Sequence, residues 1–219
     1  MSLRYLSVLS AAFFLPVLCP AADAPLPELR IEPTNEASIL YVKNVSPQPL
    51  TAFLIELVGY PGSYYQLWED DITSEPIAPG VEKRIPISNM TVGAVPDYVK
   101  VRAALYADGT SAGIPEKVTQ LSERRRSLLQ PTRELISRLE KANAAGAQKA
   151  AIVADLKTWA DSLHPLTKST QNSQAAINEA AAKTLITEIS SQLDTRSPDE
   201  VLTSLRAAER SLAANKPPM

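Results

Sequence analysis

The 219-residue sequence predicts an all-β region, folded as an antiparallel β-sandwich, followed by an all-α region folded as a helical bundle or helical hairpins. Apolar residues alternate with period two up to Tyr106, whereas they recur every three or four residues from Val118 onward. A turn at 108–110 and a possible helix start at 115–116 lie between the two patterns. A sheet is therefore predicted to end, and a helix to begin, within this short stretch.

Residues 1–24 predict a secretory signal. Arg4 supplies the positive start, and the apolar run 6–18 is too short to span a bilayer. Small residues that suit cleavage follow the run: Ala21, Ala22 and Ala24. We therefore expect a secreted or periplasmic protein with no transmembrane span after signal removal.

Cys19 is the only cysteine, and it lies inside the predicted signal. Its removal would exclude a disulfide scaffold and a cysteine nucleophile from the mature chain. The alternative is a lipoprotein with acyl chains on Cys19, although Leu18 stands where that motif needs a small residue.

The segment 25–114 predicts the sandwich. Glycines and prolines separate short β-rich runs in it, which is typical of antiparallel strands joined by turns. The run 51–58 is apolar on nearly both faces, as a central strand would be. We place strands at 29–32, 38–45, 50–60, 64–68, 81–87 and 98–107, with a short strand possible after Gly109.

The last long strand shows the most regular alternation. One predicted face holds Val99, Val101, Ala103 and Leu105. The other face, predicted to be wet, holds Lys100, Arg102 and Tyr106.

Two turns in the sandwich segment resemble those of a known family. Asn44-Val45-Ser46 joins two predicted strands, and residues 77–80, Ile-Ala-Pro-Gly, precede another strand. Both are similar to turns of the small immunoglobulin-like domains in secreted bacterial proteins, over residues 30–113. The resemblance implies an Ig-like sandwich without the antibody-type disulfide, and it implies no catalytic residues.

The segment 115–215 predicts helices, and 216–219 a frayed tail. Pro131 lies inside the first apolar stripe and should kink or split that helix, and 143–146 is a natural break. Ser197 and Glu200 predict a capping box at the start of the last helix. Each helix has one apolar stripe, so the helices must pack on each other, which we favour, or on the sandwich.

Four aromatic residues form the candidate binding site. Aromatic side chains dominate protein interfaces and stack on sugars. The alternative is ordinary packing inside the sandwich. The four residues are Tyr60, Tyr64, Tyr65 and Trp68.

The charged runs predict no catalytic or metal site. The acidic run 69–71 lacks the spacing and the glycine of an EF-hand loop, so we expect a solvated acidic turn. The run 124–126 is three arginines in the first helix, where a solvated face is expected and a contact with the acidic sandwich or with an anionic partner is the alternative. Arg125 nevertheless falls on the apolar stripe. With His164 as the only histidine, no metal ligand cluster and no cofactor are expected.

The favoured function is a non-enzymatic interaction or structural module of the cell envelope, with another envelope protein or a glycan as partner. The runner-up is a carbohydrate- or small-ligand-binding module that uses the aromatic cluster. A hydrolase using Glu69, Asp70 or Asp71 is the third class. Residues 25–115 hold 6 basic and 11 acidic side chains and 116–219 hold 15 and 12, so neither half has the basic excess typical of nucleic-acid binding.

Overall fold

The computed structural model describes residues 24–34, 38–59, 63–87, 98–165, 167 and 173–214. The predicted signal up to residue 23 and the predicted tail lie outside this part of the chain. Within the described residues, seven strands precede four helices. The predicted order, β followed by α, is therefore confirmed.

The strands form two antiparallel sheets. Sheet A has the order β1-β2-β5, and sheet B has the order β4-β3-β6-β7. Strand β3 lies inside sheet B, paired with both β4 and β6, which is why it is apolar on both faces. The strands are β1 (Glu28–Pro33), β2 (Ser38–Lys43), β3 (Leu50–Gly59), β4 (Ser63–Asp70), β5 (Glu82–Ile87), β6 (Tyr98–Tyr106) and β7 (Ser111–Gly113).

The two sheets share one hydrophobic cluster. Sheet A contributes Leu40, Val42 and Ile85. Alternate residues of β3 enter this cluster from sheet B, and the residues between them point to the other face of sheet B. Sheet B is therefore buried on both faces.

The alternation predicted for β6 is wrong beyond Val101. Ile55 pairs with Val101, but the preceding residue of β3, Leu54, pairs with Ala103. One extra residue, Arg102, is thus inserted into β6 as a bulge, which reverses the faces of the residues that follow it. Val101 packs in the cluster between the sheets, whereas Ala103 packs on the opposite face of sheet B.

Tyr106 was predicted on the wet face and is instead 1% exposed, because the bulge turns it into the cluster between the sheets. Its hydroxyl donates a hydrogen bond to the carbonyl oxygen of Pro25. Burial raises the pKa of Tyr106 to about 12.

The helices are α1 (Pro115–Ala144), α2 (Lys149–Ser162), α3 (Gln174–Thr195) and α4 (Pro198–Ala214). Helix α1 continues through Pro131, so the proline does not split it. The predicted capping box is confirmed, since the Ser197 amide donates to Glu200 Oε2 at 2.8 Å and the Glu200 amide donates to Ser197 Oγ at 3.3 Å.

Helix α1 packs on both regions. Its N-terminal part places Val118 and Leu121 against residues of β3 and β6 such as Leu54 and Ala103. Its C-terminal part joins α2, α3 and α4 in the largest cluster of the molecule, which includes Leu135 and Leu139 of α1. The mutual packing that we favoured therefore occurs, and packing on sheet B occurs with it.

A buried ion-pair network also ties α1 to sheet B. Glu56 of β3 accepts from Arg102 Nε at 2.7 Å and lies 2.9 Å from Lys117 Nζ of α1. Because Glu56 has two cationic partners, its burial on an otherwise apolar face is compensated.

Gly113 ends β7 at a close approach to β6, and this position allows a test of the sheet geometry. Its φ is +117°, and a Cβ added there would lie 2.2 Å from the carbonyl oxygen of Arg102. We expect Gly113→Ala to lower the free energy of unfolding by more than about 2 kcal/mol, because backbone strain and a backbone clash add together.

Gly109→Ala is the matched control, since Gly109 has φ +87° but no atom within 4 Å of an added Cβ. It should cost only the left-handed backbone penalty of about 1–2 kcal/mol. Urea denaturation measures both losses, and equal losses for the two variants would contradict the close approach at Gly113.

Candidate functional site

A buried guanidinium lies where the β region meets the helices. Arg125 of α1 is 1% exposed. Its Nη1 donates to Asp70 Oδ1 at 2.7 Å, to Asp71 Oδ1 at 2.9 Å and to the Thr51 carbonyl oxygen at 3.2 Å. Its Nη2 donates to Asp71 Oδ1 at 2.9 Å and to Ser211 Oγ of α4 at 3.1 Å. One side chain therefore joins α1, β3, the end of β4 and α4.

These contacts correct two predictions. The acidic run is not a solvated turn, because Asp70 and Asp71 are largely covered where α1 and α4 pack on sheet B. Arg125 is not on a solvated helix face but makes the contact with the acidic strand end that was the alternative. Its place on the apolar stripe follows, since the stripe is the buried face of α1. Glu69 instead pairs with Lys83 of β5 at 2.5 Å.

Two carboxylates share this one guanidinium, which affects their titration. The pKa of Asp70 is raised to about 7, because burial and the neighbouring Asp71 carboxylate raise it by more than Arg125 lowers it. The cluster of Asp70, Asp71 and Arg125 holds one negative charge in excess when both acids are ionised. A proton on Asp70 relieves that excess.

The predicted aromatic cluster is only partly described. Tyr60 lies outside the described residues, as do the side chains of Tyr64 and Tyr65, whose backbones pair with Val58 and Leu57. Trp68 is half-buried and packs against the apolar cluster between sheet B and α1. The guanidinium carbon of Arg124 lies 5.3 Å from the centre of its ring.

A cleft of about 390 Å³ opens beside Trp68, and we call it the sheet–helix cleft. Its walls come from β4, β5, α1 and α3 and from the loop after β4. The residues that line the cleft include Trp68, Ser74, Arg84, Arg124, Leu185 and Glu188. Volumes of this size are typical of sites for small ligands or for single anchoring groups of a partner.

The charges of the sheet–helix cleft fall into two groups. Glu69 and Lys83 pair with each other, and Asp70 is held by Arg125. By contrast, within the part of the chain that the structure describes, Arg84, Arg124 and Glu188 form no hydrogen bond or ion pair. Burial lowers the pKa of Arg124, and the nearby Asp70 opposes that effect.

A larger cleft of about 950 Å³ lies on the other side of the loop after β4, against α4. Asp71 and Ser211 line it, and both belong to the Arg125 network. Arg196 on its wall donates to Gln192 and to Ser204. Polar side chains that line this larger cleft thus already form hydrogen bonds within the protein.

The described residues were also compared with the requirements for metal binding and for membrane crossing. No group of three or more acidic, histidine or cysteine side chains is placed to hold a metal ion in this part of the chain. Among the described helices, none has the length and apolar character that crossing a membrane requires. His164, which follows the end of α2, is exposed. Its Nδ1 lies 3.0 Å from Oε1 of Glu179 in α3.

Comparison with known proteins identifies no relative, since no family model, no curated protein and no solved structure matches this chain. The function must therefore be argued from the site itself.

Sequence reasoning missed the cleft because it forms between elements that are distant along the chain. Arg84 and Glu188 carried no local signal. Arg124 belonged to a run whose three members point around the helix, and only the fold shows which of them faces Trp68. Arg125, an arginine on an apolar stripe, was the one signal that pointed toward a buried charge network.

The raised pKa of Asp70 gives a prediction about pH. An acid whose folded pKa is raised contributes stability that is fully present below its unfolded value, here 3.8, and is lost as the pH rises toward about 7. Asp70→Asn removes this titration. The free energy of unfolding of the variant relative to wild type should therefore increase between pH 4 and pH 7, by at most about 1.4 kcal/mol per pH unit.

Urea denaturation at several pH values measures the difference between the two proteins. Asp161→Asn is the control, because Asp161 is exposed on α2 and makes no hydrogen bond or ion pair with the described residues. If the free energy of unfolding of Asp70→Asn relative to wild type changes with pH as little as that of Asp161→Asn, Asp70 does not have a raised pKa.

Proposed function

We propose that this protein is a non-enzymatic interaction module of the cell envelope, secreted or periplasmic, that holds its partner in the sheet–helix cleft. The observation that carries the proposal is the composition of this cleft. Four elements of both regions build it, and it retains charged side chains that form no hydrogen bond or ion pair within the described chain. Concave sites with a few convergent polar groups are the usual places where proteins bind other molecules.

The resemblance to Ig-like domains supports the proposed setting of the module. The two turns that carry the resemblance contact each other, since Asn44 Nδ2 donates to the Ile77 carbonyl oxygen at 2.8 Å. Asn44 Oδ1 also accepts from the Ser46 amide at 2.9 Å, which makes it the turn residue that the resemblance implies. We therefore propose that the two sheets form an Ig-like sandwich, a fold common in secreted binding proteins.

The hydrolase alternative has less support. Acid–base catalysis needs carboxyl groups that are free to exchange protons with a substrate. Glu69 is held by Lys83, and both Asp70 and Asp71 are held by Arg125. These contacts give the three carboxyl groups a structural role.

Carbohydrate binding by the aromatic cluster also has less support. A sugar needs an open ring face on which to stack. Trp68 packs against the apolar cluster, and Arg124 lies over its ring, which leaves little free ring surface.

A photo-crosslinking experiment tests whether the cleft holds a partner. A benzophenone amino acid replaces Thr184, which lines the cleft, and the full chain is expressed in its native host. Because a bound partner would lie next to this position, we expect irradiation to give one discrete adduct, identified by mass spectrometry. The same replacement at Thr158 is the control, since both are exposed helical threonines whose hydroxyls bond the carbonyl four residues earlier.

Equal labelling at Thr184 and Thr158, or no labelling at Thr184, would contradict the proposed binding site. A melting temperature close to that of wild type shows that each labelled protein is folded.

A further inference from the structure

We propose that the sheet–helix cleft binds an anionic group, a carboxylate or a phosphate, through Arg124 and Arg84. This inference rests on the proposed function, because it names the chemistry of what the cleft holds.

Arg124 is the centre of the argument. It is half-buried in α1, and it has no hydrogen-bond acceptor within the described residues. A guanidinium has five N–H donors and stays charged in proteins. Covering it without acceptors costs free energy, and a ligand that supplies acceptors recovers that cost.

Its neighbours hold Arg124 in place before anything binds. The Trp68 ring lies beneath the guanidinium at cation–π distance. The next residue, Arg125, is fixed by Asp70 and Asp71, and this fixes the rotation of α1 about its axis at this turn. A preorganised donor loses less conformational entropy on binding than a mobile surface arginine.

Below pH about 7, where Asp70 holds its proton, the cluster of Asp70, Asp71 and Arg125 is neutral and the cleft keeps one net positive charge, which favours an anion. The pair of Glu69 with Lys83 is neutral, and Asp70 already contacts Arg125. The charged side chains of the cleft that form no hydrogen bond or ion pair in the described chain are Arg84 and Arg124, both positive, and Glu188, which is negative. Two guanidinium groups from different elements, β5 and α1, can each offer two parallel N–H groups to a carboxylate or a phosphate.

The other residues that line the cleft indicate what kind of molecule carries the anionic group. Leu128, Leu185 and Ile72 line the cleft and are buried in one apolar cluster. Ser74 and Thr184 also line the cleft. The volume of about 390 Å³ accommodates a compact organic anion or one acidic end of a partner.

Two aromatic anions serve as probes, phenyl phosphate and phenylacetate, with benzyl alcohol as the neutral control. Trp159→Phe leaves Trp68 as the only tryptophan, so its fluorescence reports binding in the cleft. We expect at least one anion to change this fluorescence saturably, because Arg124 lies over the ring. Benzyl alcohol should leave it unchanged.

Arg124→Gln and Arg84→Gln should each weaken the binding of the anion at least about tenfold, the effect of losing a charge-assisted hydrogen bond. Arg126→Gln is the matched control, since Arg126 is an exposed arginine of the same helix that has no partner among the described residues. Arg84 is also exposed, so its variant tests the site without disturbing the packing of Trp68.

Binding of phenyl phosphate alone assigns a phosphate ligand, binding of phenylacetate alone assigns a carboxylate, and binding of both supports the shared chemistry. No binding of either anion, equal binding of benzyl alcohol, or an equal loss in Arg126→Gln would overturn the inference. Crosslinking at Thr184 that persists in full in Arg124→Gln would also overturn it, yet leave the proposed function standing. Absence of crosslinking in the wild-type background counts against the proposed function.

Discussion

The structure depends most on the contact of Arg125 with Asp70 and Asp71. Three charged groups leave water together at the junction of α1, β4 and α4. Such a cluster is stable only because each charge finds a partner, and removal of one partner typically costs about 3–5 kcal/mol. The Thr51 carbonyl and the Ser211 hydroxyl complete the coordination of the guanidinium. The position of the helices against the sheets is therefore set by directional bonds as well as by apolar packing.

The sheet–helix cleft follows from this junction. Arg125 fixes the turn of α1 that carries Arg124, and the Glu56–Lys117 contact fixes the helix about two turns earlier. Arg102 of β6 is the second cation that contacts Glu56. Because α1 is held at both points and also forms the common core with α2, α3 and α4, the walls of the cleft belong to one packed unit.

Local sequence patterns were enough to predict six of the seven strands, the helical region from residue 115 and the capping box, whereas β7 was only a possible strand. The prediction of which β6 residues share a face was wrong, since the extra residue at Arg102 changes the register without changing the alternation of residue types. The prediction that Asp70 is solvated was wrong as well, because the burial of a charged side chain depends on elements that are distant along the chain. The cleft could not be predicted for the same reason.

The most direct test of the Arg125 junction is a denaturation experiment with two probes in Trp159→Phe, where Trp68 fluorescence reports the contact of sheet B with α1 and far-ultraviolet circular dichroism reports the helices. With Arg125 intact, the two urea transitions should coincide. With Arg125→Met added, stability should fall by about 3–5 kcal/mol and the fluorescence transition should precede the helical one, because the buried carboxylates lose their cation. Coincident transitions with an unchanged midpoint in the Arg125→Met protein would contradict the account.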